Sequence, residues 1–203
     1  MTSFRAWLCT LKVYTQPASL RMLALGFSAG LPLLLVLGTL SFWLREAGID
    51  RTTIGYLSWV GLAYAFKWVW APLVDRLPLP GLTRRLGRRR SWLLLSQLLI
   101  AAGLLGMASQ NPQLALTPMV WSALVVAFGS ATQDIALDAY RIESASMQEQ
   151  AALAATYQTG YRLAMIWAGA GVLWVATLAQ GEQLGYAVRA WQVAYSVMAA
   201  CMV

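Results

Sequence analysis

In the stretch AFGSATQDIALDAYRIES, residues 127–144, two carboxylates stand in an apolar run where a charge is costly. Asp134 and Asp138 are four residues apart, and Arg141 follows. On a helix at about 100° per residue, Ser130, Asp134, Asp138 and Arg141 share one narrow stripe. Asp138 and Arg141 are within reach of each other and can form an ion pair at a membrane interface. Asp134 has no basic neighbour deeper in its own helix and lies roughly 10 Å inside, at about 1.5 Å per residue. Ionisable groups at such depth mark proton or substrate pathways. Two further charges reach comparable depth. Lys67, in AYAFKWVWAPLVDR, precedes Asp75 by eight residues, roughly 12 Å of helix. Arg162, in TYQTGYRLAMIW, lies roughly 16 Å from the same side.

Charges in hydrocarbon must face the bundle interior, and there they pair or line a wet cavity. Lys67 and Arg162 are therefore candidates to hold an anionic substrate group. Asp134, with Asp138 as the second candidate, is the group expected to exchange a proton, because burial and nearby cations act on it in opposite senses. The alternative is a packing network of Lys67, Asp134 and Arg162 with no traffic. Tyr64 stands one turn above Lys67, Gln158 one turn below Arg162, and Tyr157 and Tyr161 form an adjacent stripe. Such groups can hydrogen-bond and stack on a sugar-bearing ligand, and they are also ordinary packing residues of membrane helices.

The elements that must position these side chains follow from composition. The chain has 203 residues, 59% hydrophobic and only 11% charged. A soluble domain carries about 25% charged residues. Apolar runs of about twenty residues recur throughout, as in a polytopic membrane protein. We read an all-α membrane protein of six spans, at about 20–44, 53–74, 91–108, 116–140, 151–179 and from 187 onward, the last incomplete at Val203. Residues 1–19 form a cytoplasmic lead-in, amphipathic through Phe4, Trp7, Leu8 and Leu11, that lies on the membrane surface. Residues 20–203 form the bundle.

Loop charges orient it. The N-terminus and the loops after spans two and four carry ten Lys and Arg, and the opposite side carries Arg45, Arg51 and Arg189. The positive-inside rule places the N-terminus in the cytoplasm. Trp43, Trp92, Trp121 and Trp191 fall near span ends, where aromatic belts occur. The basic loop DRLPLPGLTRRLGRRR reads as a topology signal that also attracts anionic lipids. With no nucleic-acid-binding fold beside it, nucleic acid is not an expected partner. No histidine is present, and Cys9 and Cys201 lie at opposite ends of the chain. No metal site or other cofactor is expected, and an enzyme would lack a histidine base. In GFSAGLP, Gly26 and Gly30 allow close helix packing, as do Gly160, Gly169 and Gly171. Pro32 can kink span one.

Asp75-Arg76 after span two and Gly87-Arg88-Arg89-Arg90 before span three resemble the cytoplasmic signature of the major facilitator superfamily, here with a ten-residue separation. The stretches LGFSAGLPLLLVLGTLSFWL, IGYLSWVGLAYAFKWVWAPLVDR, SATQDIALDAY and GYRLAM resemble the muropeptide permeases of Gram-negative bacteria, and the related acetyl-CoA transporters share part of the pattern. The resemblance implies the N-terminal half of a twelve-span fold in the bacterial inner membrane, completed by a C-terminal six-helix half or a second chain. It implies proton-coupled import of anhydro-muropeptides, anionic sugar-peptides, from periplasm to cytoplasm. Cell-wall recycling and induction of a β-lactamase follow from that import. It further implies that Asp75, Arg76, Gly87, Arg88, Arg89, Arg90 and Arg141 gate the cytoplasmic face. The alternatives are a related transporter of another anionic solute and a membrane subunit without transport.

Overall fold

A computed structural model describes residues 12–144, 146 and 149–202. The residues of the lead-in that carry its amphipathic pattern, Phe4, Trp7, Leu8 and Leu11, lie outside these. Among the described residues the secondary structure is entirely helical. Among the described residues four helices are long and apolar enough to cross a membrane: α1 (Pro17–Glu46), α3 (Arg88–Ala108), α4 (Leu116–Glu143) and α5 (Gln150–Gln180). The described part of the chain is thus all-helical, with the helices of a membrane protein. The other two expected spans differ from these four. α6 (Val188–Ala200) has 13 residues.

The second expected span, α2 (51–76), is a succession of short pieces. Helices Arg51–Leu57, Leu62–Ala65 and Ala71–Arg76 alternate with 3-10 turns at Ser58–Gly61 and Lys67–Val69. Two sequence features account for the break at Lys67–Val69. Pro72 has no N–H to donate to the carbonyl four residues before it, that of Trp68, so the helix cannot run through. The run Phe66, Lys67, Trp68, Val69, Trp70 packs aromatic and β-branched side chains that lose rotamer freedom in a helix. The irregular turns fall at Phe66 (φ −93°, ψ 5°) and Trp70 (φ −104°, ψ −1°), bracketing Lys67.

α1 and α5 form the closest seam, and α3 packs along α4. The glycines explain the seam. A Cβ on Gly26 would run into the Tyr157 carbonyl, one on Gly30 into the Tyr161 carbonyl, and one on Gly160 into the Leu23 carbonyl. Backbone meets backbone there, as small residues permit. Farther along the same pair, π-helical turns at Leu35–Thr39 and Trp167–Gly171 face each other. The Thr39 hydroxyl donates to the Ala168 carbonyl at 2.7 Å. Pro32 lies within the α-helical part of α1, one turn before its π-helical turn.

Two tryptophans expected in the interfacial belt are core residues instead. Trp43 and Trp191 are 0% and 3% exposed. They stack at 5.8 Å and 4°. Their indole N–H groups donate to the Tyr186 hydroxyl (3.0 Å) and to Glu46 Oε2 (2.8 Å). Tyr195, also fully buried, donates to the Leu35 carbonyl at 2.8 Å. Satisfied polar tips let these rings join a packed core. Trp121, by contrast, is exposed.

Candidate functional site

Lys67 and Asp134 come together. Lys67 Nζ lies 3.5 Å from Asp134 Oδ2, the lysine 38% and the aspartate 23% exposed. The break in α2 at Phe66–Trp70 presents Lys67, and the unbroken helix α4 presents Asp134. The Tyr64 hydroxyl is buried beside Ser130 and Asp134, with no partner at good hydrogen-bond geometry among the described residues. Tyr157 and Tyr161 of α5 lie at 6.0 Å from each other, within electrostatic reach of Asp134.

Arg162 does not join the pair. It is exposed on α5 and forms no ion pair among the described residues. The three-charge network expected from depth is therefore one ion pair with an unpaired guanidinium on a neighbouring helix. Gln158 is likewise exposed, and Tyr161 is half-buried. Asp138 and Arg141 form the short-range ion pair that their spacing allows, at 3.3 Å. Arg141 also stands over the Tyr157 ring, 5.7 Å from its centroid.

A second charged cluster ties three helix ends together. Arg89, its side chain 14% exposed, bonds the Asp75 carboxylate on one side and Glu143 on the other, the latter at 2.8 and 2.9 Å. Trp92 Nε1 adds a bond to the Leu77 carbonyl at 2.9 Å. Gly87 caps α3 at φ 82°, a conformation that a side chain disfavours. Arg90 stacks over Tyr140 at 5.9 Å. Arg76 and Arg88 are exposed. Arg88, Arg89 and Arg90 form the first turn of α3 rather than a loop.

Two sets of polar residues were not legible beforehand. Glu143 is the third member of the Arg89 cluster, and its sequence signal is only a carboxylate two residues after Arg141. Gln133 is fully buried, and its amide donates to the Ser28 hydroxyl at 3.1 Å, as does that of Gln97. The Gln133 acyl oxygen has no hydrogen-bond partner among the described residues. The polar triplet Thr132-Gln133-Asp134 in an apolar helix was the available signal. Thr132 in turn accepts from Trp70 Nε1 at 3.2 Å.

Long apolar helices, with the half-buried pair Lys67–Asp134 held between two apolar segments, are the features of a polytopic membrane protein. Residues 20–111 match the family model described as acetyl-coenzyme A transporter 1. The chain is 42% identical to the anhydromuropeptide permease of Escherichia coli K12 over 95% of its own length and 37% of that protein's. It is 35% identical to the putative transporter AmpG 4 of Rickettsia conorii over 93% of its length, 43% of that protein's. The chain is similar to these relatives along nearly its whole extent, and it spans about two fifths of their length.

Proposed function

We propose that the chain is part of a proton-coupled importer of anhydro-muropeptides, serving cell-wall recycling. The observation that carries this reading is the 42% identity to an anhydromuropeptide permease over 95% of the chain. In this reading α1 to α6 are six spans, arranged as two inverted groups of three, of a major facilitator superfamily half in the inner membrane, with the N-terminus cytoplasmic. A further six-helix unit covers the face that carries Lys67 and Arg162. Lys67 and Arg162 hold the anionic part of the sugar-peptide, Tyr64, Gln158 and Tyr161 contact it, and Asp134 exchanges the proton. Right-side-out vesicles from cells expressing the full reading frame test it. Labelled anhydro-muropeptide should accumulate under an inward proton gradient and stop when the gradient is dissipated. No uptake would leave a non-transporting subunit. The match of residues 20–111 to the acetyl-CoA transporter family favours one other reading, a carrier of another anionic solute. Competition by acetyl-CoA, with no uptake of muropeptide, would select it.

The Arg89 cluster acts as the cytoplasmic gate in this proposal, closed when Asp75, Arg89 and Glu143 are joined. Asp75 and Glu143 are about half exposed. Each pair therefore adds little stability, about 1 kcal/mol or less. Asp75→Asn and Glu143→Gln should each leave the amount of folded protein unchanged while altering the uptake rate several-fold. Uptake equal to wild type at equal expression would remove the cluster from the gate.

A further inference from the structure

The segment of α2 that carries Lys67 is held loosely. Between Val60 and Val74 none of its residues is buried. Its turn at Lys67–Val69 is 3-10, with poorer hydrogen-bond geometry than an α-helix. Such a stretch of backbone does not fix a lysine side chain by its own rigidity. The pair with Asp134 is a weak anchor, since both partners are partly exposed and such pairs add little stability. A second contact with α4 stands three residues along, at Trp70.

Trp70 closes the turn. Its backbone N–H donates to the Lys67 carbonyl, and side chains three apart on a 3-10 turn stand on one side of it. Trp70 Nε1 donates to Thr132 Oγ1 at 3.2 Å, and the ring stacks on Phe128 at 4.6 Å and 29°. The acceptor is fixed in direction. Thr132 is 3% exposed, and its hydroxyl donates to the Phe128 carbonyl at 2.8 Å, which leaves a lone pair for the indole. Phe128 and Thr132, one turn apart on α4, thus form a seat for a single side chain of α2. Trp68, two residues before Trp70, is 69% exposed and makes no side-chain hydrogen bond among the described residues.

We propose that Trp70 is a positioning residue for Lys67. Its indole, bonded to Thr132 and seated on Phe128, fixes the turn of α2 from which the Lys67 ammonium reaches Asp134. What Lys67 does for a substrate rests on the proposed function. The fastening of the turn does not. Phenylalanine at position 70 would keep a ring on Phe128 and lose the N–H, so Trp70→Phe separates the bond from the packing. Loss of one hydrogen bond of this kind changes an equilibrium on the order of five-fold.

Two readouts in the product of the full reading frame test it. The first is geometric. With Cys9 and Cys201 replaced by serine, Lys67→Cys/Asp134→Cys is bridged by a short bis-methanethiosulfonate. Bridging should slow on the order of five-fold in Trp70→Phe and equally in Thr132→Val, and the two changes together should be no slower than either alone. Trp68→Phe should bridge at the parent rate. Unchanged bridging in Trp70→Phe and Thr132→Val overturns the proposal. So does equal slowing by Trp68→Phe, which would mean a general loosening of α2. The second readout is uptake of labelled anhydro-muropeptide, with lysine at position 67. Trp70→Phe should raise the concentration at half-maximal rate several-fold, and should change nothing further in Lys67→Ala. A packing role alone would instead lower the maximal rate with the amount of folded protein, alike in both backgrounds, and would overturn the proposal. Absence of uptake by the parent protein would sink the transport reading and leave the bridging rates to decide on Trp70.

Discussion

Gly160→Ala should force α5 off α1 and lower stability by about 1–3 kcal/mol, the usual cost of overpacking. The added methyl would meet the Leu23 carbonyl and the Phe27 amide nitrogen, not a side chain able to rotate away. Gly26→Ala should do the same from the opposite helix, against the Tyr157 carbonyl. The two positions share one seam, so their effects should be less than additive. Gly55→Ala is the control, since a methyl there meets nothing within 4 Å. The melting temperature in detergent, and the monodisperse fraction on size exclusion, should drop for the seam variants and hold for Gly55→Ala. Seam variants that melt with the control would show that the close approach of α1 and α5 does not depend on these glycines. The seam matters for function as well as folding, because α5 carries Tyr157 and Tyr161 into reach of Asp134.

The glycine seam was legible because its signal is compositional: small residues four apart in apolar runs. The depth of Lys67 and Asp134 was legible for a similar reason, since helix rise converts sequence distance into depth. What sequence distance does not give is azimuth. Arg162 lies at a matching depth but points to an exposed face, so the expected network reduces to one pair. The Arg89 cluster divides in the same way. Asp75 and the arginines of the basic loop were found by pattern, while Glu143 enters only because α4 runs three residues past its expected end and brings that carboxylate to Arg89. The break in α2 was missed because hydropathy is blind to backbone geometry. The run from Thr53 to Val74 is apolar enough for a span whether or not it is continuous, and only Pro72 and the crowded aromatics around Lys67 hinted otherwise. Standing near span ends, Trp43 and Trp191 read from the sequence as belt residues. The Tyr186 hydroxyl and the Glu46 carboxylate, which satisfy their N–H groups and admit them to the core, come from distant parts of the chain.

Asp134→Asn should preserve substrate exchange and abolish accumulation against a gradient, as measured by counterflow and by gradient-driven uptake in the same vesicles. A proton can drive uptake only if its binding changes the relative stability of the inward- and outward-facing states. The Lys67–Asp134 pair offers such a difference. Opposite charges at about 4 Å attract by roughly 4 kcal/mol at an effective dielectric constant of about 20, an upper bound for groups this exposed. In the proposed mechanism, protonation of Asp134 would remove that attraction and free Lys67 for a carboxylate of the substrate, so that proton and substrate would load together. Asparagine mimics the protonated state permanently. It leaves Lys67 available, which is why exchange survives, and it severs loading from the proton, which is why accumulation does not. Lys67→Ala should act differently, weakening substrate binding and also destabilising the fold by leaving Asp134 without its cation. A purely structural pair makes another prediction. Both single variants would then lose stability, the double variant Lys67→Ala/Asp134→Asn would recover it, and transport in Asp134→Asn would fall only in proportion to folded protein. Accumulation by Asp134→Asn under a proton gradient would assign the pair to packing and move the coupling role to Asp138, which is exposed and already paired with Arg141.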